Sequence, residues 1–541
     1  MTRLAGSGGA GGPGAERFGA GRIGAGLAAA RPARPIVPGE RIHVVGAGGA
    51  GASAAALLAA DAGAMVTACD AGGPSSYTLA FESHGITVET GHSPRHVAGN
   101  PAPNRLAVTK ALTAIDPDHP ELMAARRAGI PLEPWQQVIA DAAFGRRLVG
   151  VAGTHGKSTT AGWLVHVLTR AGADPSAFVG ALLPSSLTGG PPSTARSGRG
   201  EAFVVEADEY AGNFDPYVPS VAVLTSVEWD HPDVFADRAA VVEAFERWLR
   251  RAPVGATLVA NLADPGVAEV MERLGDRPGP VVRYAIVDGG PAGVVDGSPV
   301  GTAITAGVAG AAAGAVPASS LVGVVTAMDR GSTTLEIQGL DPAGGVVAVR
   351  LGTAGRHNAA NALAVAGAAM TLGLTVDQIT AGLASFGGVG RRLERIGEMA
   401  GVAVYDDYGH HPTAIRATLG AVRQREPDRR VWAAFEPLTF HRTAAMLDGL
   451  ADALAVADAV VVADIWAGRD PDTTIASPGQ LANAVVLRRP GIPVFSPGSV
   501  DATAERLARE VRPGDVVLVM GGGGSSRIGH RLLELLRIPR S

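Results

Sequence analysis

Two residue types are nearly missing from this 541-residue chain: it has one cysteine, Cys69, and two lysines, Lys110 and Lys157. Aromatic residues are scarce at 4% and charged residues stand at 18%. A single thiol excludes an internal disulfide framework and, on the same count, is read as excluding any cysteine-based zinc site. It suits a reducing cytoplasm, with Cys69 as a small buried apolar side chain. A formal net charge of −5 offers no polybasic footprint, which argues against nucleic acid or an anionic membrane as a main partner. Pro299 to Met328 carries no charge, but it is rich in Gly, Ala, Ser and Thr and is broken by Pro317, so it is too polar to span a membrane. It reads as a surface insertion. The first 37 residues lack large apolar side chains and the apolar core of a secretory signal. They read as a disordered, dispensable tail.

What is present is strand, glycine turn and helix, repeated. IHVVGAG leads through an Ala-rich helix to a second strand, AMVTACD, ending at Asp70; this opens a doubly wound α/β domain. A second unit starts at Arg147 with LVGVAG and the helix GKSTTAGWLVHVLTRAG, followed by the apolar runs AFVVEADE and SVAVLTSVEWD. Apolar runs that end in acids suit buried parallel strands whose loops carry chemistry. Near Gly387 a third unit begins, in which VAVYDDYG, RVWAAFEP, AVVVADI and VVLVMGG alternate with helical patterns. The expectation is an α/β protein with a tail over 1–38 and domains over 39–145, 146–386 and 387–541, the second interrupted by the insertion at about 286–328.

GTHGKST, Gly153 to Thr159, joins a strand to a helix. Such a turn aims backbone N–H groups and the positive end of the helix dipole at one point, where an anion binds. Lysine reaches phosphate there as a compact, flexible point charge that the broad guanidinium fork cannot replace. Arginine fills 44 of the 46 Lys-plus-Arg positions, so the lysine retained at 157 is informative. Ser158 or Thr159 is placed to ligate Mg²⁺. The turn departs from the generic phosphate loop, which has glycine where Val151 stands.

Other constellations are weaker alone. GAGGAG, with Gly46, Gly48, Gly49 and Gly51, lies nineteen residues before Asp70 and fits a dinucleotide fingerprint, with NAD the first thought. Glu206 and His231 each follow an apolar strand and suit Mg²⁺ or Mn²⁺, or else they are solvated strand ends. Asn358 and Asn361, three apart in RHNAANALA, share a helix face, and a side-chain amide can pair with an adenine edge. DDYGHHPTAI closes a strand where open α/β sheets bind ligands. Arg442, in FEPLTFHRT, can grip a carboxylate bidentately or serve as a surface helix cap.

On GTHGKST and on these motifs in their order, the chain resembles the Mur ligase family, ATP-dependent amide ligases that build the peptidoglycan stem peptide. The resemblance runs from about Ile42 to Leu536. It implies an N-terminal Rossmann-like domain for a UDP-sugar, a central P-loop ATPase-like domain and a C-terminal Rossmann-like domain for an amino acid. ATP and Mg²⁺ or Mn²⁺ are the implied cofactors, and UDP-N-acetylmuramate and L-alanine the substrates. The implied ATP contacts are Gly153, Thr154, His155, Gly156, Lys157, Ser158, Thr159, His357, Asn361, Arg392 and Asp407, with Asp406 an alternative to Asp407. Ser158, Glu206 and His231 would hold metal. The glycines at 46, 48, 49 and 51, with Asp70 and His92, would face the UDP-sugar. Tyr408, His410 and Arg442 would face the amino acid, and Lys157, Glu206, His231, His410 and Arg442 form the implied catalytic set. Departures are Ala211, where the alanine-joining members carry an acid, and Glu436, Leu438 and His441 in FEPLTFHRT. EADEY and FEP lean to a ligase that attaches a free tripeptide to the same sugar; Tyr408-Gly409 and TFHRT lean to alanine. A non-catalytic sugar sensor leaves Lys157, Glu206, His231 and Asn361 without a purpose, and an NAD oxidoreductase leaves the second phosphate loop unexplained.

Overall fold

The computed structural model describes residues 23–287, 320–468, 470 and 472–537. Their strands form three sheets. The first is all parallel, in the order Val88–Thr90, Met65–Asp70, Arg41–Val45, Arg105–Val108, Leu132–Pro134. Strand order reverses at Arg41–Val45, so the crevice of this open sheet lies at that strand's C-terminal end, where the Gly46–Gly51 turn leads into the helix Ala50–Asp61. That helix is mostly alanine, and its small side chains let it pack against its own sheet and against the strands Ser176–Leu183 and Ser193–Arg196 of the next. A single apolar core therefore runs from the first sheet into the second.

The second sheet has ten strands. Arg147–Ala152 sits between Ala202–Ala207 and Val221–Leu224, and all three run parallel. Their apolar sequences are buried along their length because helices cover both faces. This register sets three C-terminal ends side by side: the phosphate turn, the acids at 206–209 and the segment 225–231. In the third sheet Val402–Asp407 pairs antiparallel with Glu394–Met399 and parallel with Asp515–Gly521. Among the described residues no helix is long and apolar enough to cross a membrane.

Two expectations need correction. Residues 23–38 are not a free tail, although residues 1–22 of that segment lie outside the described part. Ile36 is buried, the Ala28 N–H donates to the Leu132 carbonyl at 2.7 Å, and Arg31 bridges Glu133 at 2.8 Å and Asp141 at 2.7 Å. Arg34 pairs with Glu40 at 2.6 Å. Composition counted apolar area and found little; the segment is held by guanidinium forks on carboxylates that would otherwise be buried with Arg105 alone. The insertion is also shorter than expected at its C-terminal side. Ser320–Asp329 is a strand, parallel to Val281–Val287 and antiparallel to Ser332–Gln338, with Leu321 fully buried. Its Val-rich run is masked by the uncharged Gly/Ala stretch before it; the part of that expectation covering 288–319 lies outside the described residues.

Arg31→Ala should lower stability by on the order of 2 kcal/mol, because it strips hydrogen bonds from two buried carboxylates. Arg31→Lys should recover only part, since an ammonium cannot span both acids. Thermal melting of the full chain checks this, and an unchanged midpoint in Arg31→Ala would show that the segment is held by other contacts.

Candidate active site

The phosphate turn can exist only with its glycines. Gly153 and Gly156 have φ of +137° and +81°, and a Cβ at either would collide, with Thr225 and Ser226 in one case and with the Asn361 amide in the other. The turn is tied to the neighbouring strand end: Thr154 N–H donates to the Ser226 carbonyl and His155 N–H to Ser226 Oγ, both at 2.9 Å. The helix that follows begins at Lys157, and its first N–H groups have no partner within the helix.

Lys157 Nζ donates to the Gly153 carbonyl at 2.6 Å and to Glu209 Oε2 at 2.9 Å, with Asp208 Oδ1 at 3.6 Å. Burial works against the ammonium, but Glu209 and Asp208 outweigh it and hold its pKa above the usual lysine range. Burial pushes the Glu209 carboxyl upward against the pull of Lys157. Ser158 Oγ donates to Glu206 Oε1 at 2.9 Å and accepts from the Arg392 guanidinium at 2.7 Å; Gly180 N–H donates to Glu206 Oε2 at 2.6 Å. Asp208, Glu209 and His231 each offer a ligand atom within 4.8 Å of the others'.

Two cavities meet at this turn. One, about 890 Å³, is lined by His155, Gly156, Thr159, His357, Asn361 and Asp407, among others. The second, about 670 Å³, is lined by Gly51, Lys157, Glu206, His231, Tyr408 and Arg442, among others. His155, Gly156 and Arg392 border both. In the first, burial lowers the His357 pKa, and Asn361 Nδ2 donates to Asn358 Oδ1 at 3.2 Å. Asn358 itself bonds back to the Ala354 carbonyl, at 2.8 Å. Asp407 spends its two oxygens on the N–H groups of Leu393 and Gly409, both at 2.7 Å.

In the second cavity Arg442 is buried, which rules out a surface helix cap. Its Nε and one terminal nitrogen both lie 2.8 Å from Asp230 Oδ1, and that terminal nitrogen lies 3.0 Å from His231 Nδ1. A guanidinium only donates, so His231 Nδ1 accepts and the proton of the neutral ring sits on Nε2. His410 has the opposite tautomer: Nδ1 lies 2.9 Å from the Tyr408 carbonyl, which can only accept, leaving Nε2 as the basic nitrogen. Burial first, then the Arg442 charge, lowers the His410 pKa. Burial likewise lowers that of His231. Ala211, His231, Arg391 and Thr439 all have positive φ, so left-handed backbone gathers around the same chamber.

The glycine turn of the first sheet closes the far wall. Gly49 and Gly51 line the second cavity, and a Cβ on Gly51 would strike the Trp135 ring. Gly46, with φ +83°, Gly48, Asp70 and His92 are not among the residues that line that cavity. Asp70 accepts from Gly48 and Gly72 N–H, each at 2.9 Å, and His92 Nδ1 lies 3.2 Å from Cys69 Sγ.

Sequence reasoning leaves three participants without an assigned role. Asp230 precedes His231 directly, but its partner, the buried Arg442, is remote in sequence and no local signal joins the two. Glu209 holds Lys157 more closely than Glu206 does. Lys110 carries the same signal of scarcity as Lys157: it lines the second cavity, donates to the Ala211 carbonyl at 2.7 Å, and burial lowers its pKa to about 8.

Comparison with known proteins bears on this geometry. The Mur ligase family, catalytic domain, matches residues 41–147; the Mur ligase middle domain matches 151–369; the Mur ligase, glutamate ligase domain, matches 391–523. The UDP-N-acetylmuramate–L-alanine ligase of Acidothermus cellulolyticus is 38% identical, over 90% of this chain and 92% of its own. That of Rhodococcus jostii is also 38% identical, over 92% of this chain and 97% of its own. Among solved structures, the UDP-N-acetylmuramate-alanine ligase of Thermotoga maritima superposes with a TM-score of 0.70 at 22% identity, covering 92% of this chain and 99% of its own. A murein peptide ligase of Psychrobacter arcticus gives a TM-score of 0.67 at 25% identity, covering 93% of this chain and all of its own.

Arg442→Ala and Asp230→Ala should each destabilise the protein by on the order of 3 kcal/mol, since either leaves a buried charge alone. The double variant should melt no lower than the worse single one. Additive losses in that cycle would show that the two side chains do not act as a pair.

Proposed function

Because this chain belongs to the Mur ligase family, we propose that it joins L-alanine to the lactoyl carboxylate of UDP-N-acetylmuramate, with ATP converted to ADP and phosphate. The observation that carries this reading is the meeting of two cavities at Lys157, one walled by residues suited to a nucleotide and the other by acids, imidazoles and an arginine fork. ATP lies in the first cavity, its adenine end near His357 and Asn361 and its phosphates over the 153–159 turn. The sugar's lactoyl carboxylate reaches the second cavity past Gly49 and Gly51, and the amino acid lies beside Tyr408, His410 and Arg442.

The donor set suits a hard divalent cation such as Mg²⁺: Ser158 hydroxyl, the Glu206 carboxylate and the carboxylates of Asp208 and Glu209 are all oxygen ligands. His231 can join them only when Arg442 releases its Nδ1, because the tautomer that Arg442 imposes puts a proton on Nε2. A cation held there would neutralise phosphate charge during transfer.

In the first step the lactoyl carboxylate attacks the γ-phosphorus, a carboxyl–phosphate bond forms and ADP leaves. Lys157 swaps Glu209 for phosphoryl oxygens, supplying positive charge where negative charge moves. In the second step the alanine amine attacks the acyl carbon and phosphate departs. His410 Nε2, which the Nδ1 contact with the Tyr408 carbonyl leaves as the nitrogen bearing the lone pair, is the base assigned to the amine proton. The α-carboxylate of alanine competes with Asp230 for the Arg442 fork. We assign the reaction to the cytoplasm, where the single thiol stays reduced.

Purified protein with Mg-ATP and UDP-N-acetylmuramate should release phosphate when L-alanine is added, and Lys157→Arg should reduce this by on the order of a hundredfold or more with the circular dichroism unchanged. Glycine and L-serine should act poorly, as a methyl or hydroxyl difference is worth only ~1–3 kcal/mol in such a pocket. Response to a free tripeptide and none to L-alanine would make this the tripeptide-joining enzyme instead. Wild-type turnover in Lys157→Arg would remove Lys157 from the mechanism.

A further inference from the structure

Behind the glycine turn of the first sheet, four side chains from four different elements converge away from both cavities. His43 comes from the central strand, Cys69 from the end of its neighbour, His96 from the short helix Pro94–His96, and Glu121 from the helix Pro120–Arg127. His43, Cys69 and Glu121 are 2%, 0% and 0% exposed. The His96 side chain is almost as covered. One ligand atom of each lies within 4.8 Å of all the others. We propose that His43, Cys69, His96 and Glu121 form a buried tetrahedral site for a divalent transition-metal cation of the zinc class.

Three observations lead there. First, the donor set is one thiol, two imidazoles and one carboxylate, which are the ligand types zinc takes. A tetrahedral ion with bonds of about 2.0–2.3 Å keeps its ligand atoms roughly 3.3–3.8 Å apart. Here His43 Nε2 and His96 Nδ1 lie 3.0 and 2.9 Å from Glu121 Oε1, and Cys69 Sγ lies 3.7 Å from both Glu121 oxygens. Small outward shifts would admit the ion.

Second, each imidazole already has its other nitrogen held from outside. His43 Nδ1 lies 2.8 Å from Thr67 Oγ1, and His96 Nε2 lies 3.1 Å from Glu89 Oε2. Metal-bound histidines characteristically have such outer partners, which fix the tautomer and turn a lone pair inward. The Glu89 carboxylate can only accept, so a neutral His96 carries its proton on Nε2 and turns the Nδ1 lone pair on Glu121. Two acceptors then face each other at 2.9 Å, an arrangement that calls for a positive charge between them.

Third, the charges balance. A dication with one thiolate, one carboxylate and two neutral imidazoles is neutral overall, which a buried site requires. The thiol gives up its proton as the metal–sulfur bond forms, and His92 Nδ1 lies 3.2 Å from that sulfur to relay it outward. One cysteine excludes a site made of several thiolates, but it does not exclude this one. An ion here would tie together the strand ends on both sides of the glycine turn: the Cys69 carbonyl accepts from Gly46 and Ala47 N–H, at 2.9 and 3.0 Å. Its effect on the UDP-sugar wall would be rigidity rather than chemistry.

The single cysteine makes the test specific. The full-length protein, stripped with a chelator and kept reduced, is titrated with Co²⁺ and followed by absorption. A thiolate-to-cobalt charge-transfer band can arise only at Cys69. The expected result is a band saturating at one equivalent, displaced by Zn²⁺, absent in Cys69→Ser and weakened about tenfold or more in affinity in His96→Asn. Cation binding confined to Asp208, Glu209 and His231 would give no such band and would overturn the proposal. So would a folded wild-type protein with no band, which would make the cluster a protonated His96 held between Glu121 and Glu89. The wild-type titration decides even where a variant fails to fold.

Discussion

The ammonium of Lys157 is the charge around which the site is arranged. It is buried where burial disfavours a cation, and it stays charged because two carboxylates and a backbone carbonyl surround it. Those same groups are poor final partners. Glu209 is itself pushed toward neutrality by its surroundings, so the pair is held by proximity in a low-dielectric setting that a phosphate would compete for strongly. In the proposed mechanism a nucleotide phosphate is the better partner, and the acids are what the ammonium exchanges for it. The glycines at 153 and 156, the strand register and the first turn of the helix all serve to put that ammonium at the junction of two cavities.

Parallel register explains why the junction is there. In each of the three sheets, the loops that matter leave the C-terminal ends of strands, and the sheets are placed so that these ends face one another. The contacts across the gap are polar and specific. Arg392 reaches Ser158, Arg442 reaches Asp230 and His231, and Thr413 Oγ1 donates to Glu228 at 2.7 Å. Each uses a side chain from a loop or helix of the third domain on a segment that follows a strand of the second sheet. Because these partners include proposed ligands of phosphate and metal, the contacts that hold the third domain against the second are also contacts of the proposed site. Substrate can compete for those contacts one at a time.

Much of this is legible in the chain, and the failures have physical causes. Strand–turn–helix punctuation and apolar runs identify the sheets because they depend on local sequence alone. Lys157 is legible because lysine is rare and the turn around it has few substitutes. Partnerships are not: nothing in EWDHPD says that Asp230 meets an arginine more than two hundred residues later, and nothing in GHSP says that His92 faces a sulfur rather than solvent. The misread tail has the same origin. Residues 23–38 look too polar to fold because their anchor is charge, and the carboxylates that hold Arg31 lie on a strand and a helix about a hundred residues on. Composition measures what a segment could bury by itself, and says little about what a distant acid will require of it.

That contrast between the two cations also explains where each kind occurs. Arg31, Arg105, Arg391 and Arg442 all sit on buried or half-buried carboxylates, where a fork with several fixed donors can reach more than one acceptor. Both lysines, by contrast, converge on a single segment, residues 208–211. Lys157 takes Glu209 and Asp208, Lys110 takes the carbonyl of Ala211, and the charge of Asp208 acts on both. The strand end carrying Glu206, Asp208 and Glu209 holds three acids within a few residues, and a wall proposed to receive phosphate and a carboxylate as well is poorly served by rigid forks. Point charges on long flexible stems balance the acids and can still be pulled away from them. A chain that uses arginine almost everywhere thus keeps both of its lysines on this one acidic segment, where the proposed mechanism asks Lys157 to change partners.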